Sequence, residues 1–208
     1  MKNKFILFDF DGVIADSFNI AFETAQTRCP SISEVDYRKK FEGNINEIKH
    51  SETFHDNECN HDLDWFEIYT PKIKSGCTLF SGMKEVILNL EKEYMLIIIS
   101  STITSPIEEF LSFHNMREHF DLVMGNDVHK SKVEKIKMVF EKYNVDGSDC
   151  LFITDTLGDI EEAKEMGVPA IGVTWGFCRP EILKRGNPLQ LVHTPAELEA
   201  AITDYLPA

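Results

Sequence analysis

Short, continuous apolar runs alternate with amphipathic stretches along most of the chain. Phe5-Ile6-Leu7-Phe8 is fully apolar and closes on Asp9-Phe10-Asp11-Gly12. Met95-Leu96-Ile97-Ile98-Ile99 ends in Ser100-Ser101-Thr102. Leu122-Val123-Met124-Gly125, Leu151-Phe152-Ile153-Thr154 and Ala170-Ile171-Gly172-Val173 repeat the pattern. Between them lie stretches with helical spacing. Val86, Ile87 and Leu90 mark a helix over 83–93. Ser105-Pro106-Ile107-Glu108 and Ser131-Lys132-Val133-Glu134 read as capping boxes opening helices to about 114 and 143. A helix over 160–166 stops at Gly167, and Thr194-Pro195-Ala196-Glu197 caps a last one to about 205. Apolar strands separated by helices of this length predict a parallel sheet covered on both faces. Such sheets bind ligands outside the carboxyl ends of their strands.

Residues 16–79 break the alternation. They hold helix-like stretches over 16–28, 34–41 and 62–74 and little that resembles a strand. The expected architecture is therefore α/β. A three-layer, Rossmann-like parallel sheet core spans 1–15 and 80–208, with a small helical cap, 16–79, inserted after the first strand. That segment is long for an ordinary strand-to-helix connection.

The chain has 208 residues, 43% of them hydrophobic, which suffices for one sizeable core. It carries 35 Asp and Glu against 21 Lys and Arg, a formal charge of −14. Phosphate backbones and anionic lipid surfaces repel such a chain, so neither nucleic acid nor membrane is the expected partner. A small anion remains compatible, because a local site can reverse the global sign. The N-terminal apolar run ends at Asp9, too short for a secretory segment, and no run approaches a membrane span. With Cys29, Cys59, Cys77, Cys150 and Cys178 odd in number and scattered, the expectation is free thiols in the cytoplasm. His50, His55, Cys59 and His61 lie close in sequence, but their spacing fits no structural zinc pattern.

Chemistry-bearing residues recur at the predicted strand ends: Asp9 with Asp11, Ser100 with Ser101, Lys132, and Asp155 with Asp159. Alone, each has a bland reading as a turn, a cap or a solvated charge. Together they form one acidic cluster, which a hard cation would hold. All-oxygen ligation completed by water and a phosphate suits Mg²⁺. One carboxylate can attack phosphorus, a second can serve as acid and then base, and Ser and Lys can neutralise phosphoryl oxygens.

Asp9-Phe10-Asp11-Gly12-Val13-Ile14-Ala15-Asp16-Ser17 resembles the first motif of the haloacid dehalogenase superfamily of phosphohydrolases. It is most similar to the branch containing phosphoglycolate phosphatase and β-phosphoglucomutase. Ser100-Ser101 after its strand resembles the second motif. Lys132 after Gly125-Asn126-Asp127-Val128 resembles the third, and Phe152-Ile153-Thr154-Asp155-Thr156-Leu157-Gly158-Asp159 the fourth. The resemblance implies an Mg²⁺-dependent phosphatase that hydrolyses a small phosphorylated metabolite through an aspartyl-phosphate. Asp9 would be nucleophile and metal ligand. Asp11 would be acid/base and lend its backbone carbonyl to the metal. Ser100, Ser101 and Lys132 would bind phosphate, Asp155 would ligate the metal, and Asp159 would support it from behind. Thr154 stands where relatives often carry Gly or Glu, and Val133 where they often carry Pro. Lys130 is a rival for the phosphate role. Dehalogenation is disfavoured, since Asp11 supplies a proton that a halide does not need. The alternatives are a phosphomutase and a phospho-accepting signalling module. Specificity is expected from residues near Phe18, Phe22, Phe41 and Asn44, and one of Trp65, Phe66 and Tyr69 could line the cleft.

Overall fold

The computed structural model describes residues 2–43 and 59–207. Six strands form one parallel sheet in the order β3-β2-β1-β4-β5-β6. They are β1 (Phe5–Phe8), β2 (Met95–Ile99), β3 (Leu122–Met124), β4 (Cys150–Thr154), β5 (Ala170–Val173) and β6 (Gln190–Val192). β1 and β4 are buried along their whole length, as strands covered on both faces must be. Phe8 registers with Ile98 on one side and Ile153 on the other. That register sets the residues after β1, β2 and β4 side by side at one sheet edge. The strand order reverses between β1 and β4, which is where such sheets open a crevice.

The helices are α1 (Phe18–Arg28), α2 (Glu34–Lys39), α3 (Trp65–Gly76), α4 (Met83–Leu90), α5 (Thr104–Phe113), α6 (Lys132–Tyr143), α7 (Leu157–Glu165), α8 (Pro180–Leu183) and α9 (Pro195–Tyr205). One apolar cluster packs Phe8, Ile98 and Ile153 under α4, α5 and α9; a second packs Leu7, Ile97 and Phe152 under α6 and α7. The three layers are thus as expected. Each fully buried large apolar side chain contributes about 1.5–3 kcal/mol. Among the described residues, the segment between β1 and α4 contains α1, α2 and α3 and no strand.

Four details depart from the sequence reading. α5 begins at Thr104 rather than after Ser105, because Asp127 Oδ1 accepts from both the Thr104 N–H (2.6 Å) and its hydroxyl (2.8 Å). Ser105 instead donates to Glu109. α7 begins three residues earlier than the apolar spacing suggests, since Thr156 caps it by accepting from the Asp159 N–H. Strand β6 and helix α8 went unanticipated. Finally, Cys29 and Cys59 form a disulfide, so the five thiols are not all free. The C-terminal end of α1 meets the chain entering α3 there; the Asn60 N–H bonds the Arg28 carbonyl (2.7 Å). Cys77, Cys150 and Cys178 remain buried free thiols. Cys59 is therefore no zinc ligand, and His50 and His55 lie outside the described residues. No helix among the described residues is long and apolar enough to cross a membrane.

Candidate active site

At the carboxyl edge of the sheet, one cavity of about 430 Å³ opens between the strand ends and helices α1–α3. Asp9, Asp11, Ser100, Ser101, Lys132 and Asp159 all line it. The sheet register brings them there from positions up to 150 residues apart.

Asp9 directly follows β1, and its N–H continues the ladder to Ile153 O (2.9 Å). Its Oδ1 accepts from the Phe10 N–H (2.7 Å) and its Oδ2 meets Lys132 Nζ (2.9 Å). Lys132 Nζ also meets Asp159 Oδ2 at 2.6 Å, where the Thr154 hydroxyl donates as well (2.7 Å). Thr154, the departure from the family pattern, is thus a second donor to Asp159. Lys132 is held at the start of α6 by the Ser131 cap and by Glu162 Oε1, which accepts from its backbone N–H (3.1 Å). Lys130 is exposed, and it is Lys132 that reaches the carboxylates.

Burial dominates the electrostatics. It pushes the Asp9 carboxyl well above its ordinary range; Lys132 opposes this, and the charges of Asp159 and Asp155 reinforce it. For Asp159 burial also disfavours the charge, but Lys132, Asp9 and Thr154 overcome it and hold the group low. Burial would neutralise Lys132, yet the two carboxylates keep it protonated. Lys132 therefore holds Asp159 in its charged form, while burial favours the neutral form of Asp9.

Asp155 is fully buried at the end of β4. Burial pushes it up to about 7, against the Phe177 N–H that donates to Oδ2 (2.6 Å). Its Oδ1 is buried with no hydrogen-bond partner. Such an orphan acceptor is costly unless something absent from the polypeptide binds it. Two glycines wall this carboxylate in. Gly12 has φ +74°, open to glycine at little cost, and a Cβ on Gly12 or Gly176 would fall within 3.0 Å of the Asp155 side chain. Gly176→Ala is accordingly expected to displace Asp155, lowering Tm by several degrees and weakening divalent-cation binding at least about tenfold. Thermal melts and cation titration check both.

Asp11 faces the other way, toward the helices. Its Oδ1 accepts from the Tyr69 hydroxyl of α3, and its Oδ2 from the Thr102 hydroxyl (2.7 Å). Those two donors fix its rotamer. Ser100 is fully buried and its Oγ accepts from the Thr102 N–H (3.0 Å), while Ser101 sits on the cavity wall. Trp65, Phe66 and Tyr69 line the cavity, as does Phe41; Phe18 and Phe22 stack behind it (6.3 Å between ring centres). Asn44 lies outside the described residues.

Sequence reasoning missed Tyr69 and Thr102 as partners of Asp11, and it gave Lys135 no role. Lys135 is fully buried, donating to Ser100 O (2.5 Å) and Gly125 O (3.4 Å). Burial and the nearby Lys132 charge push it down to about 8. A signal was available: both lysines fall on the apolar face of α6, among Val133, Ile136 and Val139. Phe177 was also undervalued. It links the helices to the sheet, since Phe18 and Phe41 pack on its ring (5.2 and 4.7 Å) and Arg38 donates to its carbonyl (2.5 Å).

Comparison with known proteins agrees with this geometry. The model of the haloacid dehalogenase-like hydrolase family matches residues 6–173. A phosphoglycolate phosphatase of Synechococcus elongatus is 25% identical over 207 residues, spanning 97% of this chain and 98% of its own. One from Pectobacterium atrosepticum is 26% identical over 124 residues, 58% of this chain and 53% of its own. Among solved structures, a predicted phosphatase from Clostridium acetobutylicum superposes with a TM-score of 0.77 at 20% identity, covering 98% of this chain and 100% of that one. A predicted phosphoglycolate phosphatase from Haemophilus somnus gives 0.76 at 16%, covering 97% and 98%. At those identities the structural likeness establishes the fold.

Proposed function

From the premise that the chain belongs to the haloacid dehalogenase-like hydrolases and is a phosphatase, we propose that it hydrolyses a small phosphomonoester with Asp9 as nucleophile and Mg²⁺ as cofactor. The observation that carries this reading is the unequal environment of the clustered carboxylates. Lys132 balances Asp159, while Asp9 and Asp155 are buried without a full counter-charge and Asp155 Oδ1 has no partner.

Those residues fit a hard divalent cation. The donors would be Asp9, Asp155 Oδ1 and the backbone carbonyl of Asp11, all oxygen. Among the described residues no three acidic, His or Cys side chains are grouped so as to hold a metal ion by themselves. Two carboxylates and a carbonyl leave room for water and a phosphate oxygen, which is the preference of Mg²⁺. When bound, the ion supplies positive charge that ionises Asp9 and offsets charge on the phosphoryl oxygens.

The side chains then divide the work. Asp9 attacks phosphorus, and the bond to the leaving oxygen breaks with its electron pair on that oxygen. Asp11, held by Tyr69 and Thr102, gives that oxygen a proton. Water next attacks phosphorus, Asp11 takes its proton, and the bond to Asp9 breaks. Lys132, Ser100 and Ser101 face the phosphoryl oxygens through both steps. Residues 16–79 act as the cap, supplying Tyr69 and the far wall.

Chelation should abolish phosphate release from small phosphomonoesters, and Mg²⁺ should restore it. The thermal response carries a sign that turnover alone does not. Folding raises Asp155 from about 3.9 to about 7. Between those values the folded state holds more protons than the unfolded, so metal-free stability falls as pH rises through that window. A cation replaces the proton. Mg²⁺ is therefore expected to raise Tm by several degrees at pH 8 and by much less at pH 5. An equal shift at both values contradicts the assignment.

A further inference from the structure

We infer that the substrate carries a flat, apolar body and, at its end away from the phosphate, a second anionic group received by Arg28. This rests on the phosphatase reading above and extends it to the leaving group.

The cavity is the first observation. At about 430 Å³ it falls in the range of sites that enclose an organic ligand of appreciable size. Beyond the strand ends its walls are Tyr37, Phe41, Trp65, Phe66 and Tyr69, closed by Ala21 and Ala25. Trp65 and Tyr69 stack with their rings tilted by only 26°, and Tyr37 meets Phe41 edge-on at 5.3 Å. Aromatic walls of this kind receive a flat apolar group.

Charge is the second observation. Residues 16–79 hold more acids than bases, and eight of those acids are described. None of the eight lines the cavity, whereas Arg28, Lys40 and His61 do. All the described acids on the wall, Asp9, Asp11, Asp159 and Glu162, come from the sheet side. Among the described residues, then, the acids of the wall lie on the sheet side and Arg28 stands on the helical side.

Arg28 is the third. Its Nε is buried and has no hydrogen-bond partner. Among the described residues no carboxylate pairs with its guanidinium. A buried guanidinium nitrogen without a partner is the donor counterpart of the Asp155 orphan, and its planar fork suits a carboxylate or a phosphate.

Size narrows the choice of body. In phosphoglycolate three bonds of about 1.5 Å separate phosphorus from the carboxylate carbon. That molecule is small for a cavity of about 430 Å³ and offers nothing to its aromatic walls. A ring with a short carboxylated arm supplies both the flat body and the second anion.

The test compares phenyl phosphate, 4-(2-carboxyethyl)phenyl phosphate and phosphoglycolate with the full chain and Mg²⁺. The carboxylated aryl ester is expected to show a kcat/KM at least about tenfold above either of the others. In Arg28→Gln that advantage over phenyl phosphate falls to about twofold or less, and Arg28→Lys retains part of it. A preference for phosphoglycolate, or an advantage undiminished in Arg28→Gln, overturns the inference. Binding of the matching aryl phosphonate, measured by calorimetry, reports on the subsite without turnover. Tight binding lost in Arg28→Gln supports it even if no ester is cleaved, an outcome that would remove the phosphatase reading alone. Equal binding by the two proteins overturns it.

Discussion

Asp9→Asn is expected to lower kcat by at least about 10⁴-fold while leaving a folded chain whose Tm falls only modestly. The amide is isosteric but is no nucleophile, and loss of a covalent nucleophile costs factors of this order or more. The fold tolerates it for a specific reason. Burial already pushes Asp9 toward its neutral form, and Lys132 keeps its shorter contact, 2.6 Å to Asp159. The Phe10 N–H still finds an oxygen at Oδ1 if the amide carbonyl takes that position, which turns the amide NH2 toward Lys132 Nζ and gives up the 2.9 Å contact there. Steady-state phosphate release and a thermal melt together separate this from unfolding. Retained turnover would remove Asp9 from the chemistry; a collapse in Tm would make the loss uninformative about it.

Lys132→Met is expected to act in the opposite proportion, damaging stability as well as rate. Lys132 is 2% exposed and lies between two carboxylates. Removing one member of a buried ion pair leaves an uncompensated charge and costs about 3–5 kcal/mol. Asp159 would keep only the Thr154 hydroxyl beside Asp9, and the two acids would have to share a proton. Rate should fall by about 10²–10³-fold, the usual cost of losing a donor to developing phosphoryl charge. Raised Mg²⁺ should recover part of the stability, because a second cation can compensate Asp9 and Asp155. Denaturant melts with and without Mg²⁺, beside initial rates, check both parts. Lys130→Met, at an exposed position, should change either quantity far less.

Much of this site is legible in the sequence because its determinants are local. β1, β2 and β5 are short runs without a charged or hydroxyl side chain, each closed by a polar residue, and their ends coincide with the sequence boundaries. Ser131 caps α6 as its spacing suggested, which places Lys132 in the first turn, facing inward. The fourth-motif acids needed only the strand before them. What was not legible depends on partners distant in sequence. The start of α5 is decided by Asp127, 23 residues away. The Cys29–Cys59 pair closes only because α1 and the approach to α3 meet. β6 has three residues, one of them exposed, so no apolar alternation marks it. Tyr69 reaches Asp11 across 58 positions. Where one of Trp65, Phe66 and Tyr69 was expected at the cleft, all three line the cavity.

The charge balance gains a physical reading from the same particulars. A chain with formal charge −14 gathers four acids at one sheet edge, yet none of the described acids of residues 16–79 lines the cavity. That distribution makes an acidic chain compatible with an anionic substrate.

The most direct test of the account is to trap the acyl-phosphate. The protein, turning over a phosphomonoester with Mg²⁺, is quenched in acid and reduced with borohydride, which converts an aspartyl-phosphate to homoserine. The account predicts homoserine at position 9 alone, dependent on substrate and absent in Asp9→Asn. Undiminished turnover with no modified residue, or modification at a different position, would contradict it.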